Sequence, residues 1–325
     1  MRKGITIIIC TYNGAERLSE TIAHIARQSV PETIAWEVIL ADNGSSDNSI
    51  ALAGAEWNKY KRVDVPFEVI EESKPGKLHA LQHAIEKADF EYLIVCDDDN
   101  WLASDYLKTA YSLLDSRPEI AAAGGRGTAV TAGMLLPDWF KDYHSAYAVG
   151  PQAQKTGFLK PRDVLWGAGL CTRKSVYQKM YRMYPSFLTE HQDKNILSAE
   201  DTEYCMRLLL KGYKLYYDAS LQYKHFIPDH KLSLEFRDQK LLKGFMDANE
   251  ILRKYYSAMR ATIKTRNRPD VWFALLLITP INYVFSFSKR RAEKAKNTLF
   301  FLLPFGIQGD PISEKIRMFM KGKPA

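Results

Sequence analysis

Three adjacent carboxylates, Asp97, Asp98 and Asp99, carry the most distinctive chemistry in this sequence. They follow directly on residues 92–96, an apolar run with the length and composition of a buried β-strand. Neighbouring carboxylates repel one another by about 1 kcal/mol per close pair unless a cation neutralises them. Oxygen ligands at a strand end suit Mg²⁺ or Mn²⁺, which bridge to substrate phosphates. The pattern therefore favours a metal and diphosphate site over its alternative, a solvated acidic turn.

Two further residues stand where they could contact such a ligand. Asp42 ends the apolar run 36–41 and begins the turn sequence Asp-Asn-Gly-Ser. Its carboxylate could accept a hydrogen bond from a ligand, close an Asx turn, or do both. Lys77 follows Pro75 and Gly76 at the first turn of a predicted helix, where a lysine can join the backbone N–H groups in binding an anion. A solvated surface lysine is the alternative for Lys77.

A second acidic group, Glu200, Asp201 and Glu203, begins a helix predicted over 200–211. Ser198, three residues before Asp201, completes a capping-box pattern, and acidic side chains in the first turn interact favourably with the helix dipole. This structural role accounts for the pattern by itself. The residues alone therefore do not assign these acids to catalysis.

Strand-like and helix-like segments alternate through the first half of the chain, which is typical of a mostly parallel sheet with helices on both faces. The predicted strands are residues 5–10, 36–41, 67–70, 92–96 and 120–123. In such sheets, ligands bind beyond the carboxyl ends of the strands. Thr11, Asp42 and the carboxylates at 97–99 all stand at such ends, so we expect them to share one edge of the sheet.

The second half of the chain is less regular. Residues 126–165 are rich in Gly, Pro and aromatic residues and predict a long loop or a small insertion over the site. Further predicted elements are a helix over 173–181, a polar loop over 190–198, a strand over 214–217 and helical, increasingly basic structure from about residue 229. The expected domains are a catalytic domain over 1–230, with halves 1–125 and 126–230, and a helical C-terminal region over 231–325.

Five segments occur in an order that points to one enzyme family. They are IIICTYN at 7–13, VILADNGSSD at 38–47, GKLHAL at 76–81, DDD at 97–99 and ED at 200–201. Together they resemble the inverting family 2 nucleotide-sugar glycosyltransferases over about residues 4–230. The resemblance implies the GT-A fold, an α/β, Rossmann-like architecture with a mostly parallel central sheet and helices on both faces. It also implies transfer of a sugar from a UDP- or GDP-type donor to a hydroxyl acceptor, with inversion.

The resemblance assigns nucleotide-binding roles to the ends of the first two strands and to the helix that begins near residue 77. Thr11, Tyr12 and Asn13 would contact the nucleobase. Asp42 would accept a hydrogen bond from an N–H group of uracil or guanine. Lys77 would contact the diphosphate or the ribose of the same donor.

At the carboxylate run, the resemblance implies a metal-dependent enzyme. Asp97 and Asp98 would contact the nucleotide sugar, and Asp99, together with Asp97, would hold Mg²⁺ or Mn²⁺. His225 follows the last predicted strand, near the point where some GT-A enzymes use a histidine as a metal or diphosphate ligand. A lone histidine is more often structural, which is the alternative for His225.

Inverting transfer needs a carboxylate that takes the proton of the acceptor hydroxyl. The resemblance places this base at Asp201, beside Glu200, although Ala199 stands where the family often has glycine. Trp166 and Gly167 resemble the acceptor-side loop of the family, in which small residues let the backbone approach the sugar and the tryptophan stacks on it. A tight turn with a core tryptophan is the alternative for this pair.

The basic charge of the chain is concentrated near its C-terminus. The formal net charge is +7, but residues 251–325 hold 15 Lys or Arg against 4 Asp or Glu, while the first 250 residues hold 30 against 34. This asymmetry argues against nucleic acid as a partner of the main domain and predicts a tail that meets an anionic membrane surface. Residues 271–287 are uncharged and could span a membrane, lie on its surface or pack into a core. Basic and aromatic flanks favour the surface.

We expect a cytoplasmic protein, peripheral on the inner face of the cell membrane. The N-terminal apolar run is short for a signal peptide, and four scattered cysteines fit a reducing compartment. A saccharide or lipid-linked acceptor would place the reaction in cell-surface polysaccharide or glycolipid synthesis. Two rival classes remain: a sugar nucleotidyltransferase, which would release pyrophosphate from a nucleoside triphosphate, and a non-catalytic module that binds sugar nucleotides.

Overall fold

The computed structural model describes residues 2–189, 199–286, 288–303 and 307–322. The strands in these ranges are β1 (Arg2–Thr11), β2 (Trp36–Asp42), β3 (Phe67–Glu71), β4 (Phe90–Asp97), β5 (Asn100–Leu102), β6 (Ile120–Thr131), β7 (Gly157–Phe158), β8 (Leu170–Arg173) and β9 (Lys214–Ile227). The α-helices are α1 (Ala15–Ala26), α2 (Ser49–Lys59), α3 (Lys77–Lys87), α4 (Tyr106–Ser116), α5 (Phe140–Tyr143), α6 (Lys174–Tyr181), α7 (Glu200–Leu210), α8 (Lys243–Thr262), α9 (Pro269–Val284), α10 (Lys289–Leu302) and α11 (Pro311–Lys321). Shorter helical segments are the 3₁₀ turns His144–Tyr147 and Asp229–Leu232 and the π-helical Phe236–Leu242.

The described strands form one mixed sheet in the order β3-β2-β1-β4-β8-β6-β9-β5, with β7 paired to β9. β1 pairs in parallel with β2 and β4, and β2 pairs in parallel with β3. β8 is antiparallel to β4 and β6, and β9 is antiparallel to β5 and β7. The predicted α/β fold is confirmed, with parallel pairing in the half where strands and helices alternate. Antiparallel strands need no crossover helix, so the alternation fades where this pairing takes over.

β1 lies at the centre of the parallel part of the sheet. Its β-branched side chains Ile5, Ile7 and Ile9 are fully buried, and they pack in the same core as Leu18 and Ile22 of α1. Burying one such side chain contributes about 1.5–3 kcal/mol to folding. The strand that ends at the predicted site is therefore held by core packing along most of its length.

Two predicted elements in the second half differ from the structure. The strand expected over 214–217 is the beginning of the longer β9, in which Leu221 and Tyr223 are buried while Lys224 is exposed. The strand continues beyond its apolar start through alternating buried and exposed positions, which is typical of an antiparallel strand with one solvated face. The irregular interval expected over 126–165 contains the end of β6, α5 and β7.

Packing divides the chain into two compact units. The first consists of Met1–Phe158, Leu165–Tyr177 and Leu215–Leu242. The second consists of Leu159–Val164, Gln178–Lys214 and Lys243–Ala325. This division differs from the expected boundary at residue 230, because α7 belongs to the same unit as the C-terminal helices.

The C-terminal helices of the second unit differ in burial. α8 fully buries Ile251 and Tyr255, and α11 buries Ile316 and Phe319, so both helices contribute to a core. In α9 the buried residue is Thr279, and most of the large apolar side chains of this helix are exposed. No helix in the described ranges is both long enough and apolar enough to cross a membrane.

All four cysteines fall within the described ranges and are buried thiols. Cys10, Cys96 and Cys171 lie in the first unit and Cys205 in the second. Burial raises the pKa of Cys171 to about 12 and that of Cys96 well above its usual value. Such thiols pack as small apolar side chains rather than act as nucleophiles.

Candidate functional site

Three neighbouring strands bring the predicted donor-site residues to one edge of the sheet. In the parallel register, Thr11 of β1 faces Asp42 of β2, and Cys10 faces Asp97 of β4. Adjacent strands lie about 4.8 Å apart, so these strand ends form one continuous edge. The structure therefore brings Thr11, Asp42 and Asp97 together as the sequence analysis expects.

Asp42 is buried at this edge and has one unused acceptor atom. Its Oδ2 accepts a hydrogen bond from the backbone N–H of Ser45 at 2.9 Å, which closes the expected turn. Its Oδ1 is also buried, yet it has no hydrogen-bond partner in the described part of the chain. A buried carboxylate oxygen left without a donor costs free energy, so this atom is poised to accept a hydrogen bond from a ligand.

Asn13 joins the loop after β1 to the loop after β2. Its backbone N–H donates to Ser45 Oγ at 2.8 Å, and its Oδ1 accepts from the N–H of Ser46 at 2.8 Å. Its φ of +48° lies in the left-handed region that asparagine tolerates better than most residues. Tyr12, next to it, exposes 61% of its surface. The loops around Asp42 are therefore fixed, with an aromatic ring beside them.

Asn43, which the sequence analysis does not single out, fastens the loop before α3. Its Nδ2 donates to the carbonyl oxygens of Glu72 and Lys74 at 2.9 and 2.8 Å, and its Oδ1 accepts from the N–H of Gly76 at 2.7 Å. Gly76 has a φ of +120°, which favours glycine. The start of α3, and with it Lys77, is thereby tied to the end of β2. In the sequence, Asn43 is marked by its position directly after Asp42.

Asp98 is paired inside the first unit. Its carboxylate accepts two hydrogen bonds from Arg17, at 3.0 and 2.8 Å, and one from the Thr11 hydroxyl at 2.8 Å. A Cβ atom at Gly14 would lie 2.2 Å from Thr11 Oγ1 and 2.5 Å from Asp98 Oδ2, so a glycine is required there. The bidentate ion pair gives Asp98 a role in holding the loop after β1. Arg17 is a further residue that the sequence analysis does not identify.

Asp97 and Lys77 are brought together by the structure. Lys77 Nζ lies 2.5 Å from Asp97 Oδ1, and both side chains are partly exposed. Lys77, which is expected to bind phosphate, therefore lies next to Asp97, the first carboxylate of the run. An anionic ligand arriving there would meet the ammonium group of Lys77 already in position.

Asp99 is the most deeply buried of the three carboxylates, and each of its oxygens faces a nitrogen-bearing side chain. Lys231 Nζ lies 3.1 Å from its Oδ2, and His225 Nε2 lies 3.5 Å from its Oδ1. Burial opposes ionisation, but His225 and Lys231 together hold the pKa of Asp99 well below its usual range. Asp99 is therefore a charged acceptor in a protected position. Lys231 lies 132 residues from Asp99 in the sequence, and no local pattern marks it.

Asp99 and His225 form a pair that fits a divalent cation. β5 and β9 place Asn100 directly opposite His225, which brings the imidazole to Asp99. Two ligands at adjacent corners of a six-coordinate Mg²⁺ lie about 3 Å apart, close to the 3.5 Å between Asp99 Oδ1 and His225 Nε2. In the described ranges, no three or more His, Cys, Asp or Glu side chains lie close enough together to hold a metal ion. A cation here would therefore depend on donor phosphates and water for its other ligands.

Trp166 and Gly167 lie in the first unit, in a turn stabilised by the backbone. The N–H of Trp166 donates to Gln152 Oε1 at 2.7 Å, and the N–H of Leu170 donates to the carbonyl of Gly167 at 3.1 Å. The Trp166 side chain is half-buried. Both interpretations, a tight turn and a stacking platform, are compatible with this arrangement.

Glu200 and Asp201 begin α7, in the second unit. Asp201 Oδ1 accepts from the N–H of Thr202 at 2.5 Å, so this carboxylate caps its own helix. Ala199 precedes the helix with a φ of +87°, a conformation that costs alanine about 1–2 kcal/mol and costs glycine little. Ser198, the other member of the expected capping box, lies outside the described residues.

One turn further along α7, Glu203 and Arg207 form a fully buried ion pair at 3.0 Å. Tyr255 of α8 donates to Glu203 at 2.8 Å and accepts from Arg207 Nε at 2.9 Å. The other partners are the carbonyl oxygens of Met180, Tyr184 and Pro185 for Arg207, and the N–H of Phe187 and the hydroxyl of Ser186 for Glu203. Despite burial, Glu203 and Tyr255 raise the pKa of Arg207 above its usual value. This cluster fixes α7 within the second unit.

Comparison with known protein families gives two matches. The model described as "Glycosyl transferase family 2" matches residues 6–136, and the model described as "Glycosyl transferase family group 2" matches residues 92–305. Among curated proteins, the poly(ribitol-phosphate) beta-glucosyltransferase of Bacillus spizizenii is 24% identical over 232 residues, which cover 69% of this chain and 32% of that protein. The chain spans about a third of the length of the first curated relatives that it matches.

Solved structures show the same fold at low sequence identity. TarS 1–349 of S. aureus in complex with UDP-GlcNAc is 16% identical with a TM-score of 0.53, and the match covers 98% of this chain and 92% of that one. The mannosyltransferase PcManGT of Pyrobaculum calidifontis, in complex with GDP-Man and Mn²⁺, is 17% identical with a TM-score of 0.51, over 98% and 79% of the two chains. The expected GT-A architecture is therefore confirmed at the level of the fold.

Proposed function

The chain belongs to the glycosyl transferase family group 2, and we propose that it transfers a sugar from a nucleoside-diphosphate donor to a hydroxyl acceptor with inversion. The family resemblance of the sequence motifs is confirmed by the family matches. The observation that supports the proposed activity most directly is Asp42, a buried carboxylate with an unused oxygen at the strand edge where α/β enzymes bind nucleotides.

Recognition of the base is the first step of the proposal. Uracil and guanine each carry a ring N–H group that can donate a hydrogen bond to Asp42 Oδ1, whereas the ring of an unprotonated cytosine has no N–H group. Thr11 and Asn13 would contribute neighbouring backbone, and the exposed ring of Tyr12 would cover the base. A base with a ring N–H agrees with the UDP- or GDP-type donor that the family resemblance implies. TarS with UDP-GlcNAc and PcManGT with GDP-Man represent both types among similar folds.

The diphosphate would lie against the carboxylate run. Asp99 and His225 would hold Mg²⁺ or Mn²⁺, and this cation would stabilise the negative charge that develops on the leaving diphosphate. Lys77 would leave part of its contact with Asp97 to bind a phosphate oxygen, because the donor diphosphate as a whole carries more charge than one carboxylate. Asp97, which the resemblance gives as a second metal ligand and a donor contact, would face the same diphosphate beside Lys77, and Asp98 would hold Arg17 at the donor site. PcManGT with Mn²⁺ is a similar fold that binds such a cation.

Transfer itself requires a base, and we assign this role to Asp201. The acceptor oxygen would attack the anomeric carbon as its proton passes to Asp201, while the bond between that carbon and the phosphate oxygen breaks. The position of Asp201 in the first turn of α7 favours its ionised form, which is the form that accepts a proton. Glu200 stands beside it in the same turn. Trp166 and Gly167 would contact a saccharide or lipid-linked acceptor in polysaccharide or glycolipid synthesis.

The substitution Asp201→Asn tests the assignment of the base. We expect nearly unchanged affinity for the donor nucleotide and a loss of transfer of about 10²–10⁴-fold, the usual contribution of a general base. Asp89→Asn, at an exposed surface position, is the matched control. A screen of UDP- and GDP-sugars with Mn²⁺, read by thermal shift, identifies the donor for the assay. Near-normal turnover by the variant would remove Asp201 from the mechanism.

The same assay separates the proposal from its rivals. A nucleotidyltransferase would release pyrophosphate from a nucleoside triphosphate and a sugar phosphate, whereas a glycosyltransferase releases a nucleoside diphosphate from the sugar nucleotide. A non-catalytic module would bind the donor and release neither product with any acceptor. Measuring nucleoside diphosphate release from the sugar nucleotide found in the screen, and pyrophosphate release from the matching nucleoside triphosphate with a sugar phosphate, assigns the chain to one class.

We further propose that the protein works at the anionic inner face of the cell membrane. The large exposed apolar side chains near α9 are Phe273, Leu277, Ile278, Ile281, Tyr283, Val284 and Phe285. An apolar helix surface of this kind is unusual in water and marks an interaction site. The basic side chains around the helix are Arg266, Arg268, Arg290 and Arg291. At about 1.5 Å per residue the helix is shorter than the hydrocarbon core, which favours a position along the interface.

Liposome sedimentation tests the membrane proposal. We expect the protein to pellet with anionic vesicles at low salt and to be released as salt rises, because each Lys or Arg near the surface contributes about 1 kcal/mol. The double variant Leu277→Glu/Val284→Glu should stay in the supernatant. Val63→Glu, which changes another exposed apolar residue outside α9, is the control. Wild-type protein that ignores anionic vesicles at low salt would overturn the proposal.

A further inference from the structure

The backbone of Lys231 is fixed by hydrogen bonds, while its flexible side chain makes the ion pair with Asp99. It lies in the 3₁₀ turn Asp229–Leu232, where its carbonyl oxygen accepts a hydrogen bond from Tyr147 Oη at 2.8 Å and its N–H donates to Pro228 at 2.9 Å. Leu232 is buried among aromatic residues beside this turn. The turn is therefore anchored. Among the described residues, the Lys231 ammonium group contacts Asp99 Oδ2 at 3.1 Å, and its side chain is 27% exposed.

Asp99 needs a positive partner when no ligand is present. Its side chain is 8% exposed, and a buried carboxylate without a cation is strongly unfavourable. Lys231 provides the ammonium group that compensates it, and the amide of Asn100 adds a hydrogen bond at 3.2 Å. The first unit therefore folds with the charge of Asp99 already neutralised by its own chain.

A divalent cation at Asp99 and His225 would compete with this arrangement. Such a cation sits about 2 Å from a carboxylate oxygen, so it would stand a few ångströms from an ammonium group on the same carboxylate. In a site of low dielectric, two cations at that distance repel each other strongly. Lys231 has a flexible four-carbon stem and can leave Asp99, whereas its anchored backbone keeps it at the edge of the site.

We propose that Lys231 is an exchangeable counter-ion: it neutralises Asp99 in the free protein and moves to the donor diphosphate when the metal and the nucleotide bind. This inference rests on the metal use proposed above. Its consequence is that metal and nucleotide bind as a set, because the metal alone must displace Lys231 without offering it a new anion. The nucleotide provides that anion, so each ligand raises the affinity for the other.

Binding measurements on Lys231→Met test the exchange. Mn²⁺ affinity without nucleotide is followed by the electron paramagnetic resonance of free Mn²⁺, and the affinities for UDP and GDP, with and without Mn²⁺, by titration calorimetry. We expect the variant to bind Mn²⁺ alone about tenfold more tightly and to bind the nucleotide in Mn²⁺ about tenfold more weakly than wild type, the size of one charge-assisted contact. Lys231→Arg keeps the charge and should retain the coupling. Lys224→Met, on the exposed side of β9, is the matched control.

Each outcome decides the inference. Unchanged or weaker Mn²⁺ binding by Lys231→Met would show that Lys231 does not compete at Asp99. Tighter Mn²⁺ binding with unchanged nucleotide affinity would rule out the move to the diphosphate. Nucleotide binding by wild type that is indifferent to Mn²⁺ would overturn both this inference and the metal role, and transfer activity without Mn²⁺ would then show that the rest of the proposed function stands. Unfolding temperatures of the three variants identify any loss of folding.

Discussion

Asp99 in the first unit and Glu203 in the second are both buried carboxylates that face a cation of the same chain, but their surroundings differ. Glu203 accepts hydrogen bonds on both oxygens from side chains and backbone, and Arg207 is saturated with acceptors. Around Asp99, one partner is the partly exposed end of Lys231, and His225 Nδ1 is buried without a hydrogen-bond partner in the described ranges.

The difference separates two uses of buried charge. A saturated ion pair holds elements together and has no capacity left for a ligand, whereas a pair with unused donors or acceptors can exchange partners at low cost. The strand edge of the first unit has this unused capacity at Asp42 Oδ1 as well. We therefore expect the unfilled hydrogen-bonding positions of Asp42 and His225, rather than residue type alone, to mark the donor site.

The largest expected effect is on the saturated cluster. Arg207→Met should lower the free energy of unfolding by about 3–5 kcal/mol, because it leaves Glu203 as an uncompensated buried charge. Denaturant unfolding measures the change. Arg2→Met, which removes an exposed pair with Asp89, should cost less than about 1 kcal/mol. A double variant with Glu203→Gln should recover part of the loss; an Arg207→Met protein as stable as wild type would contradict the structural role.

A smaller effect on stability, with a clear effect on binding, is expected at the strand edge. Asp42→Asn can keep the hydrogen bond from Ser45 but turns an N–H group toward the ligand, where an acceptor is needed. Affinity for the donor nucleotide should fall about 10- to 100-fold, while the free energy of unfolding changes by less than about 1 kcal/mol. Titration calorimetry and denaturant unfolding measure the two quantities. Asp64→Asn, at an exposed position, should change neither quantity. If Asp42→Asn binds the nucleotide as tightly as wild type, the nucleobase does not contact Asp42.

The smallest effect is expected at Ala199, directly before α7. Ala199→Gly should raise the free energy of unfolding by about 0.5–1 kcal/mol, because glycine adopts the φ of +87° without strain. Ala295→Gly, inside α10, should have the opposite sign, since glycine is unfavourable in a helix interior. Thermal unfolding compares the two variants. A destabilised Ala199→Gly protein would show that the alanine side chain makes compensating contacts.

The sequence predicts the strand edge well because its signals are local. The buried runs that end at Thr11, Asp42 and Asp97 are continuous, and each is followed by turn residues, so periodicity and turn chemistry locate all three. Their alignment follows from parallel pairing. These features depend on segments of ten residues or fewer, which is the range over which sequence patterns carry structural information.

The partners of those residues are not predicted because they come from distant segments. Arg17 meets Asp98 across 81 positions, and Lys231 meets Asp99 across 132. The same reason explains why the boundary expected at residue 230 differs from the observed division. The composition changes near residue 230, but Tyr255 donates a hydrogen bond to Glu203, 52 positions earlier. A change in charge composition describes the surface of a region, whereas the division into units depends on which side chains pack together.

The four buried thiols provide a built-in reporter of opening in each unit. With Cys10, Cys96 and Cys171 in the first unit and Cys205 in the second, a thiol-reactive reagent can label the native chain only when the surrounding core opens. Mass spectrometry of labelled peptides would then time the opening of the two units separately, without any substitution. Donor and metal should slow labelling at Cys96, which lies one residue before the carboxylate run. The labelling rate at Cys205 should stay unchanged and serve as an internal reference.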